Sequence, residues 1–516
     1  MSASNAAMNW RRITLPRLAF ALIIVVGLFL FHDSWISKTA LKSVPIRPSS
    51  TNEVPIHHEI PDVKDETETL DEFNKDEEDP LPHNDEAALQ SSSTTSSELD
   101  SDPSCRSILG ADKLLVLLKT GATEIYQKLP THLVTVLECA PNFMIFSDLE
   151  QKFAEFPVHD AIAPVSERIR QQHEDFELYR KIQQYHREGQ DLSKLKGTGG
   201  WNLDRWKFLP MLHQAFENAD DNIEWFFLME ADTSVSWTNL LLWIQTMDPS
   251  DAYYLGSENV IGSTMFAHGG SGVLISRRAA DMLKNERNRQ NPAIYDLKWE
   301  DKTASSCCGD AIVGQAFYEA GVELSYAWPM IQGERVSSID WTYKHWCTPS
   351  ITWHHVSPPE VDALWQFQKS WTAQHGWTTP YVFRDVYTHF IDNHITTNRT
   401  SWNNLSSDKK ITAPDLLKAA GESEVDFYTL SEFEKHAIES EDKCAQACLL
   451  QTRFVCVQWM FSPGRCHLGK DVRFGSSDAL NPPDGRHWTS GWILDRWNAF
   501  KEQQEPCEIK WHRADL

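Results

Sequence analysis

The sequence has few basic residues and no basic stripe. Its formal net charge is −25, and 17 acidic but only 2 basic residues lie between Thr51 and Ser104. Outside that stretch the chain is only mildly acidic. Proteins that bind nucleic acid need clustered Lys and Arg to neutralise phosphates. The charge pattern therefore argues against nucleic acid as a partner.

The N-terminal region has no clean small-x-small cleavage site, although it carries the apolar run LAFALIIVVGLFLF from Leu18 onward. Three arginines precede the run, which favours a cytosolic N-terminus. We therefore predict a cytosolic tail at 1–12 and a transmembrane signal anchor at 13–32, with the rest of the chain in the lumen. A cleaved signal peptide is the alternative, because its apolar region has a similar length.

Residues 33–104 have little apolar content and are rich in Asp, Glu, Ser, Thr and Pro. Such a segment cannot bury enough apolar surface to fold. We expect a disordered acidic stem that acts as an extended spacer.

The ten cysteines match no zinc-binding spacing, and all of them follow the apolar run. An even number in that position is typical of disulfides in an oxidising compartment. Glycosylation acceptor triplets at Asn398 and Asn404 agree with a lumenal location. Cys307 and Cys308 are adjacent, and we expect each to pair with a distant cysteine.

Strands and helices alternate from residue 105 to 385. The apolar runs at 114–118, 143–146 and 225–229 have the length of buried strands, and the segments between them have helical spacing. This order predicts an α/β domain with a mostly parallel sheet. Ligands of such sheets bind beyond the carboxyl ends of the strands, and the third run ends at an acidic triplet.

The triplet Glu230-Ala231-Asp232 places two carboxylates at alternate positions of an extended segment, so both face the same side. A divalent cation prefers oxygen ligands, and Mn²⁺ also accepts imidazole. A surface turn is the alternative, because acid-x-acid triplets are common. The preceding apolar strand and the following Thr233 place both acids at a strand-to-loop exit, which favours a metal-binding role over a surface turn.

Three later segments add candidates. Gly269 and Gly270 permit close approach of the backbone to a ligand, or a tight turn that leads into a helix. Asp310 lies at the predicted start of a helix, where it could act as a general base or as the ordinary N-cap. His354 and His355 are potential metal ligands, although a histidine pair is more often structural.

The ordered series WFFLMEADTS, YYLG, GGSGVLIS, CCGDAIVG and TWHH resembles glycosyltransferase family 31, the Fringe-like and core-1 β-1,3-galactosyltransferase-like enzymes, over about residues 110–360. The segment WNLDRWKFLPML is similar to the helix before the acidic strand in fungal members. The resemblance implies a GT-A fold, a UDP-sugar donor, Mn²⁺ and inversion at the anomeric carbon.

Position by position, the resemblance implies that Asp232 binds the metal and that Glu230 lies nearer the ribose and the metal shell. It implies that Asp310 is the base and that His354 or His355 is the late metal ligand. The family triplet is usually all Asp, so the alanine at position 231 is a departure. A catalytically inactive member is the alternative that follows from it.

The C-terminal segment, 426–516, resembles a PAN/Apple module, with 386–425 expected to form a linker. The resemblance rests on Cys444, Cys448, Cys456 and Cys466, and on Trp459. Four cysteines allow three pairings, which the sequence does not distinguish. The family resemblance implies a module that binds protein or carbohydrate.

Together these features predict a single-pass type II membrane glycosyltransferase of the Golgi or the ER. It would transfer a hexose or N-acetylhexosamine from a UDP-sugar to a glycan or glycoprotein acceptor, and the family resemblance implies a β-1,3 linkage. The first alternative is an inactive Fringe-like membrane protein that binds glycan or protein through its PAN/Apple-like module. A membrane-tethered adhesion or structural protein is the second.

Overall fold

The computed structural model describes residues 105–511 except for 196, 198, 418–425, 478–480 and 483–484. The predicted tail, anchor and stem lie outside the described residues. Among the residues that are described, no helix is both long enough and apolar enough to cross a bilayer.

Between residue 105 and residue 353, the described part of the chain contains twelve strands. In chain order they are β1 Leu114–Lys119, β2 Asn142–Ser147, β3 Gln151–Phe153, β4 Phe156–Asp160, β5 Trp225–Glu230, β6 Ser234–Val235, β7 Tyr254–Gly256, β8 Glu258–Ile261, β9 Thr264–Ala267, β10 Val273–Ser276, β11 Leu324–Tyr326 and β12 Thr352–Trp353. Eight of them form one sheet in the order β11-β7-β10-β5-β1-β2-β4-β3. Two-stranded pairs are formed by β6 with β12 and by β8 with β9.

Strand β1 occupies the middle of the large sheet. Every residue of LLVLLK is buried, and the strand runs parallel to both β2 and β5. A strand covered on both faces needs a continuous apolar run rather than an alternating one. The predictions of buried strands at 114–118, 143–146 and 225–229 are confirmed.

The sheet is mixed, with four parallel and three antiparallel pairings between its strands. Strand β10 lies between β5 and β7 and is antiparallel to both. The Gly-rich segment at 269–272 therefore leads into a strand, and the helix expected directly after it begins only at Arg277. Ser276 ends the strand and caps that helix by accepting a hydrogen bond from the Ala279 N–H.

Up to residue 390, the described segments contain thirteen helices. In chain order they are α1 Ile125–Leu133, α2 Val136–Cys139, α3 Glu167–Gln172, α4 Glu177–Arg187, α5 Gly199–Asp204, α6 Phe208–Asn218, α7 Trp237–Ile244, α8 Arg277–Arg289, α9 Pro292–Ser305, α10 Gly309–Glu319, α11 Tyr343–Trp346, α12 Pro358–His375 and α13 Phe383–Phe390.

Helices cover both faces of the sheet. Val116 packs in a core with residues of α7, whereas its neighbour Leu117 packs in a second core with residues of α6, α8 and α10. Successive side chains of a strand point to opposite faces, so the alternation assigns the two cores to the two sides of β1. The result is the layered α/β arrangement that the sequence predicts.

A second, antiparallel sheet closes the chain. Its strands are β13 Lys409–Thr412, β14 Gln458–Ser462, β15 Arg465–Gly469 and β16 Thr489–Trp492, in the order β13-β15-β14-β16. Helices α14 Glu432–His436, α15 Glu441–Leu449 and α16 Leu494–Gln503 accompany it. The sequence predicts a linker at 386–425, but part of this stretch, Lys409–Thr412, forms strand β13 and pairs with β15.

Disulfides connect these parts. Cys444–Cys466 and Cys448–Cys456 join α15 to the antiparallel sheet and to the segment before β14. Cys347–Cys507 joins the segment after α11 to the C-terminal end, and Cys105–Cys139 joins the first described residue to α2. These four bonds use eight of the ten cysteines.

The remaining two cysteines bond to each other. The expectation that Cys307 and Cys308 have distant partners is therefore wrong, and they form a vicinal disulfide directly before α10. The reason is that every other cysteine is already paired elsewhere in the described chain.

Candidate metal and nucleotide-sugar site

The carboxyl ends of β1 and β5 meet at one edge of the large sheet. The register pairs Lys119, the last residue of β1, with Glu230, the last residue of β5. Asp232 follows in the turn after β5. Parallel strands present their carboxyl ends at the same edge, which is why a lysine and two acids from distant segments lie together.

A short strand pair brings the histidine segment to this edge. Strand β12 is antiparallel to β6, and Trp353 is opposite Ser234. The N–H of Val356 donates to the carbonyl oxygen of Asp232 at 3.0 Å. The turn after β5 and the segment after β12 are thereby held side by side.

Asp232, His354 and His355 form a cluster in which the potential ligand atoms all lie within 4.8 Å of one another. Nε2 of His354 is 3.6 Å from Oδ1 of Asp232. The rings of the two histidines are 3.8 Å apart, and His355 has a φ of 58°. This left-handed conformation is uncommon for a residue other than glycine.

The donor set of one carboxylate and two imidazoles is that of a first-row divalent cation such as Mn²⁺ or Zn²⁺. His354 is buried, and its Nδ1 has no hydrogen-bond partner among the described residues. Gly270 lies directly against the same ring, and a Cβ atom there would overlap it. The ring therefore occupies a space that only a glycine leaves open, and the residues fit a metal site.

The carboxylate of Asp232 is strongly biased toward its charged form. Burial acts to raise its pKa, but the neighbouring His354 and the positive charge of Lys128 outweigh burial and hold the pKa well below the usual range. Nζ of Lys128 lies 3.4 Å from Oδ2 of Asp232 and 3.0 Å from Glu124. Asp232 is ionised as a metal ligand must be.

Glu230 differs from Asp232 in its electrostatic surroundings. Burial raises the pKa of Glu230; the charge of Lys119 opposes this, while Asp204 and Asp232 reinforce it. Nζ of Lys119 is 3.2 Å from Oε1 of Glu230 and also contacts Asp204. Glu230 therefore takes part in an internal ion-pair network.

That network extends to a second buried lysine. Nζ of Lys207 lies 3.2 Å from Asp148 and 3.4 Å from Asp204, and it donates to the carbonyl oxygen of Thr120 at 2.8 Å. Burial acts to lower the pKa of Lys207, but the two carboxylates raise it above its usual value. Lys119 and Lys207 thus both remain charged in the interior.

Asp310 lies in the first turn of α10, and Cys308 occupies the N-cap position. The Oδ2 of Asp310 accepts a hydrogen bond from the N–H of Gly269 at 3.0 Å, and the Oδ1 of Asp310 accepts one from the N–H of Ala311 at 2.9 Å. The first bond ties the start of α10 to the Gly-rich segment. Asp310 is therefore placed beside Gly269 and Gly270 and is not the N-cap.

Two adjoining clefts open at this edge of the sheet. The lysine cleft, of about 1010 Å³, is lined by residues that include Lys119, Gly121, Lys128, Asp148 and Lys207. The Asp310 cleft, of about 880 Å³, is lined by residues that include Phe208, His268, Cys308, Asp310, His354 and His355. Trp201, Asp204, Glu230 and Asp232 line both.

The structure brings together every site residue that the sequence singles out. Glu230, Asp232, Gly270, Asp310, His354 and His355 line the Asp310 cleft, and Gly269 donates to Asp310. Sequence reasoning missed Lys119, Lys128 and His268. Lys119 had a usable signal, because it ends the buried run LLVLLK at the sheet edge where ligands bind.

No protein-family model matches the chain.

Proposed function

We propose that this protein is a metal-dependent glycosyltransferase of GT-A fold, similar to family 31. It transfers a hexose or N-acetylhexosamine from a UDP-sugar to a hydroxyl of a glycan or glycoprotein acceptor, with inversion and β-1,3 linkage. The observation that carries the proposal is the convergence of Asp232, His354 and His355 at the carboxyl end of β5, in a cleft that also contains Asp310.

Asp232, His354 and His355 are the residues that would hold Mn²⁺. The ion would supply charge neutralisation to the diphosphate as it leaves the sugar. Around it, Lys128 keeps Asp232 ionised, and Gly270 leaves room for the ring of His354. The lysine cleft adjoins Asp232 on the side of Lys128, which makes it the donor side in this proposal. Its three lysines are paired with carboxylates, so the ion would supply the positive charge that faces the diphosphate.

Asp310 is the general base. In a single displacement, the acceptor oxygen forms a bond to the anomeric carbon while the bond from that carbon to the diphosphate oxygen breaks. The hydroxyl proton passes to a carboxylate oxygen of Asp310. The N–H groups of Gly269 and Ala311 orient that carboxylate at 3.0 and 2.9 Å.

Ala231 is compatible with activity. It is only 4 % exposed and packs in the core on one side of β1, and its carbonyl oxygen is 2.9 Å from Nε2 of His132. The departure from an all-Asp triplet therefore leaves Asp232 and Glu230 in the cleft, which supports an active enzyme over an inactive one.

The remaining parts follow from the same proposal. Residues 13–32 anchor the enzyme in the Golgi or ER membrane as a type II protein, and 33–104 form the stem that holds the catalytic domain in the lumen. Five disulfides suit that oxidising compartment. The C-terminal sheet with its stapled helix α15 is a PAN/Apple-like module that binds protein or glycan.

The test is turnover by the secreted lumenal part of the chain, beginning at residue 33. UDP-galactose, UDP-N-acetylglucosamine and UDP-glucose are each incubated with and without Mn²⁺, and release of UDP is measured. We expect metal-dependent release from one donor, its loss in Asp232→Ala, and a fall of about 10²-fold or more in Asp310→Asn. Asp301→Asn, at an exposed acid on α9 that pairs with Arg168, is the matched control.

Binding of UDP in the presence of Mn²⁺ is measured in parallel by calorimetry. A wild-type protein that neither binds UDP nor responds to metal would rule out the enzyme. Metal-dependent UDP binding without turnover of any donor would support the inactive, glycan- or protein-binding alternative.

A further inference from the structure

An exposed indole projects where the lysine cleft and the Asp310 cleft meet. Trp201 lies in helix α5, is 66 % exposed and lines both clefts. Most tryptophans of this chain lie in its cores, because exposing so large an apolar surface to water is unfavourable. Trp201 is therefore an exception at the one place where the proposed reaction would occur.

The vicinal disulfide is the second unusual surface of the Asp310 cleft. Cys307 and Cys308 are bonded to each other, both line the cleft, and Cys307 is exposed. The bond closes a small ring whose outer surface is sulfur and methylene, which accept only weak hydrogen bonds. It lies two residues before Asp310.

The disulfide is held firmly in the fold. The Oγ of Ser306 accepts from the N–H of Cys308 at 3.2 Å, and Arg205 donates to the carbonyl oxygen of Ser306. A Cβ atom on Gly309 would overlap the backbone of Arg205. The segment 306–309 is thus packed against the turn between α5 and α6, close in sequence to Trp201.

We propose that Trp201 and the Cys307–Cys308 disulfide are the apolar contact surfaces of a subsite for the acceptor pyranose, an inference that rests on the proposed function. A pyranose ring has faces of C–H groups and an edge of hydroxyls. The C–H faces pack on an indole and on a polarisable disulfide, and a hydroxyl is then presented to Asp310. The pocket has the usual combination of apolar walls and a few placed polar groups.

The charges of the cleft select a neutral sugar. Lysines compensate Asp204, Glu230 and Asp232, and Arg205 is already paired with Asp175. Asp310 also lines the cleft, and it has no ion pair among the described residues. An acceptor ring that carried its own carboxylate would be repelled by the carboxylate of Asp310. The subsite therefore takes a neutral hexose or N-acetylhexosamine in preference to a uronic acid.

The experiment is saturation-transfer NMR on the lumenal part of the chain with UDP, a methyl hexopyranoside and Zn²⁺, a diamagnetic ion that accepts imidazole ligands, in one sample. The probes are the methyl glycosides of glucose, galactose, mannose and N-acetylglucosamine, with methyl glucuronide as the anionic comparison. The UDP signals report the donor side and the glycoside signals report the acceptor side, so failures of the proposed function and of the subsite are distinguishable.

With the wild type we expect saturation of UDP and of at least one neutral glycoside, and a weaker signal from the glucuronide. W201A should lose about fivefold or more of the glycoside signal, W201F should keep most of it, and C307S/C308S should show a clear loss. Tyr318→Ala is the matched control, because Tyr318 is an exposed aromatic on α10 outside both clefts. It should change neither signal.

Absence of UDP saturation in the wild type would overturn the proposed function. UDP saturation without saturation of any glycoside would overturn the subsite alone. So would a glycoside signal that W201A or C307S/C308S leaves intact, or one that is strongest for the glucuronide. Melting temperatures of the variants identify any loss that comes from unfolding, and W201F keeps the test valid if C307S/C308S fails to fold.

Discussion

Gly270 lies against the imidazole of His354 so closely that any side chain at position 270 would overlap the ring. The two residues are distant in sequence. The pairing of β12 with β6 brings His354, which follows β12, to this edge of the sheet. The hydroxyl of Thr233, beside the triplet, donates to the carbonyl oxygen of Gly270 at 2.7 Å. The position of the histidine and the conformation of the Gly-rich segment are therefore coupled.

The first prediction follows from this contact. Gly270→Ala should displace His354 from Asp232 and weaken binding of Mn²⁺ about tenfold or more, as loss of a ligand's support does in other metal sites. Titration calorimetry with Mn²⁺ measures the change. Gly199→Ala is the control, because a Cβ there meets only Leu178 at 3.4 Å. Unchanged Mn²⁺ affinity in Gly270→Ala would contradict the proposed role of His354 as a metal ligand.

The second prediction concerns Lys119, which is buried and contacts Asp204 and Glu230. Lys119→Met leaves two acids near each other without their shared cation, which should cost about 3–5 kcal/mol of unfolding free energy. Denaturation in urea measures the loss. Adding Glu230→Gln to Lys119→Met should recover part of it by removing one uncompensated carboxylate. A loss below about 1 kcal/mol would show that the ion pairs of Lys119 contribute little to the unfolding free energy in solution.

The third prediction concerns pH. Burial, with a further contribution from Arg287, lowers the pKa of His213 to about 4 in the folded chain. The unfolded chain binds the proton near pH 6.5, so stability falls as the pH falls from that value toward 4. The loss from His213 between about pH 7.5 and about pH 5 should be about 2 kcal/mol.

His213→Gln removes this titration, so its unfolding free energy should depend less on pH than that of the wild type. His375→Gln, at an exposed histidine, is the control and should retain the wild-type dependence. Urea denaturation at the two pH values gives the comparison. Equal pH dependence in His213→Gln and the wild type would contradict the burial of a neutral His213.

The fourth prediction compares two disulfides. Cys347–Cys507 spans 160 residues and Cys448–Cys456 spans 8. In the chain-entropy account, the longer loop contributes about 5 kcal/mol and the shorter about 2.5 kcal/mol. Replacing each pair by alanine should therefore lower stability more for 347/507, as measured by denaturant midpoints. A larger loss for 448/456 would show that local packing outweighs loop length.

Some features could be read from the sequence because they depend on local patterns. A continuous apolar run is enough to predict a buried strand, and β1, β2 and β5 are found where such runs lie. The rule that ligands bind beyond the carboxyl ends of parallel strands pointed to Asp232, and the predicted start of a helix pointed to Asp310. None of these needed knowledge of a distant partner.

The tertiary structure alone decided the rest, because each remaining feature depends on segments that meet only in the folded chain. The sequence could not reveal the antiparallel insertion of β10, which depends on which strands pair. Nor could it assign Cys307 to Cys308, since that pairing is settled by where the other eight cysteines lie. The burial of Ala231 and the ion pairs of Lys119 likewise follow from packing between β1, β5 and α5.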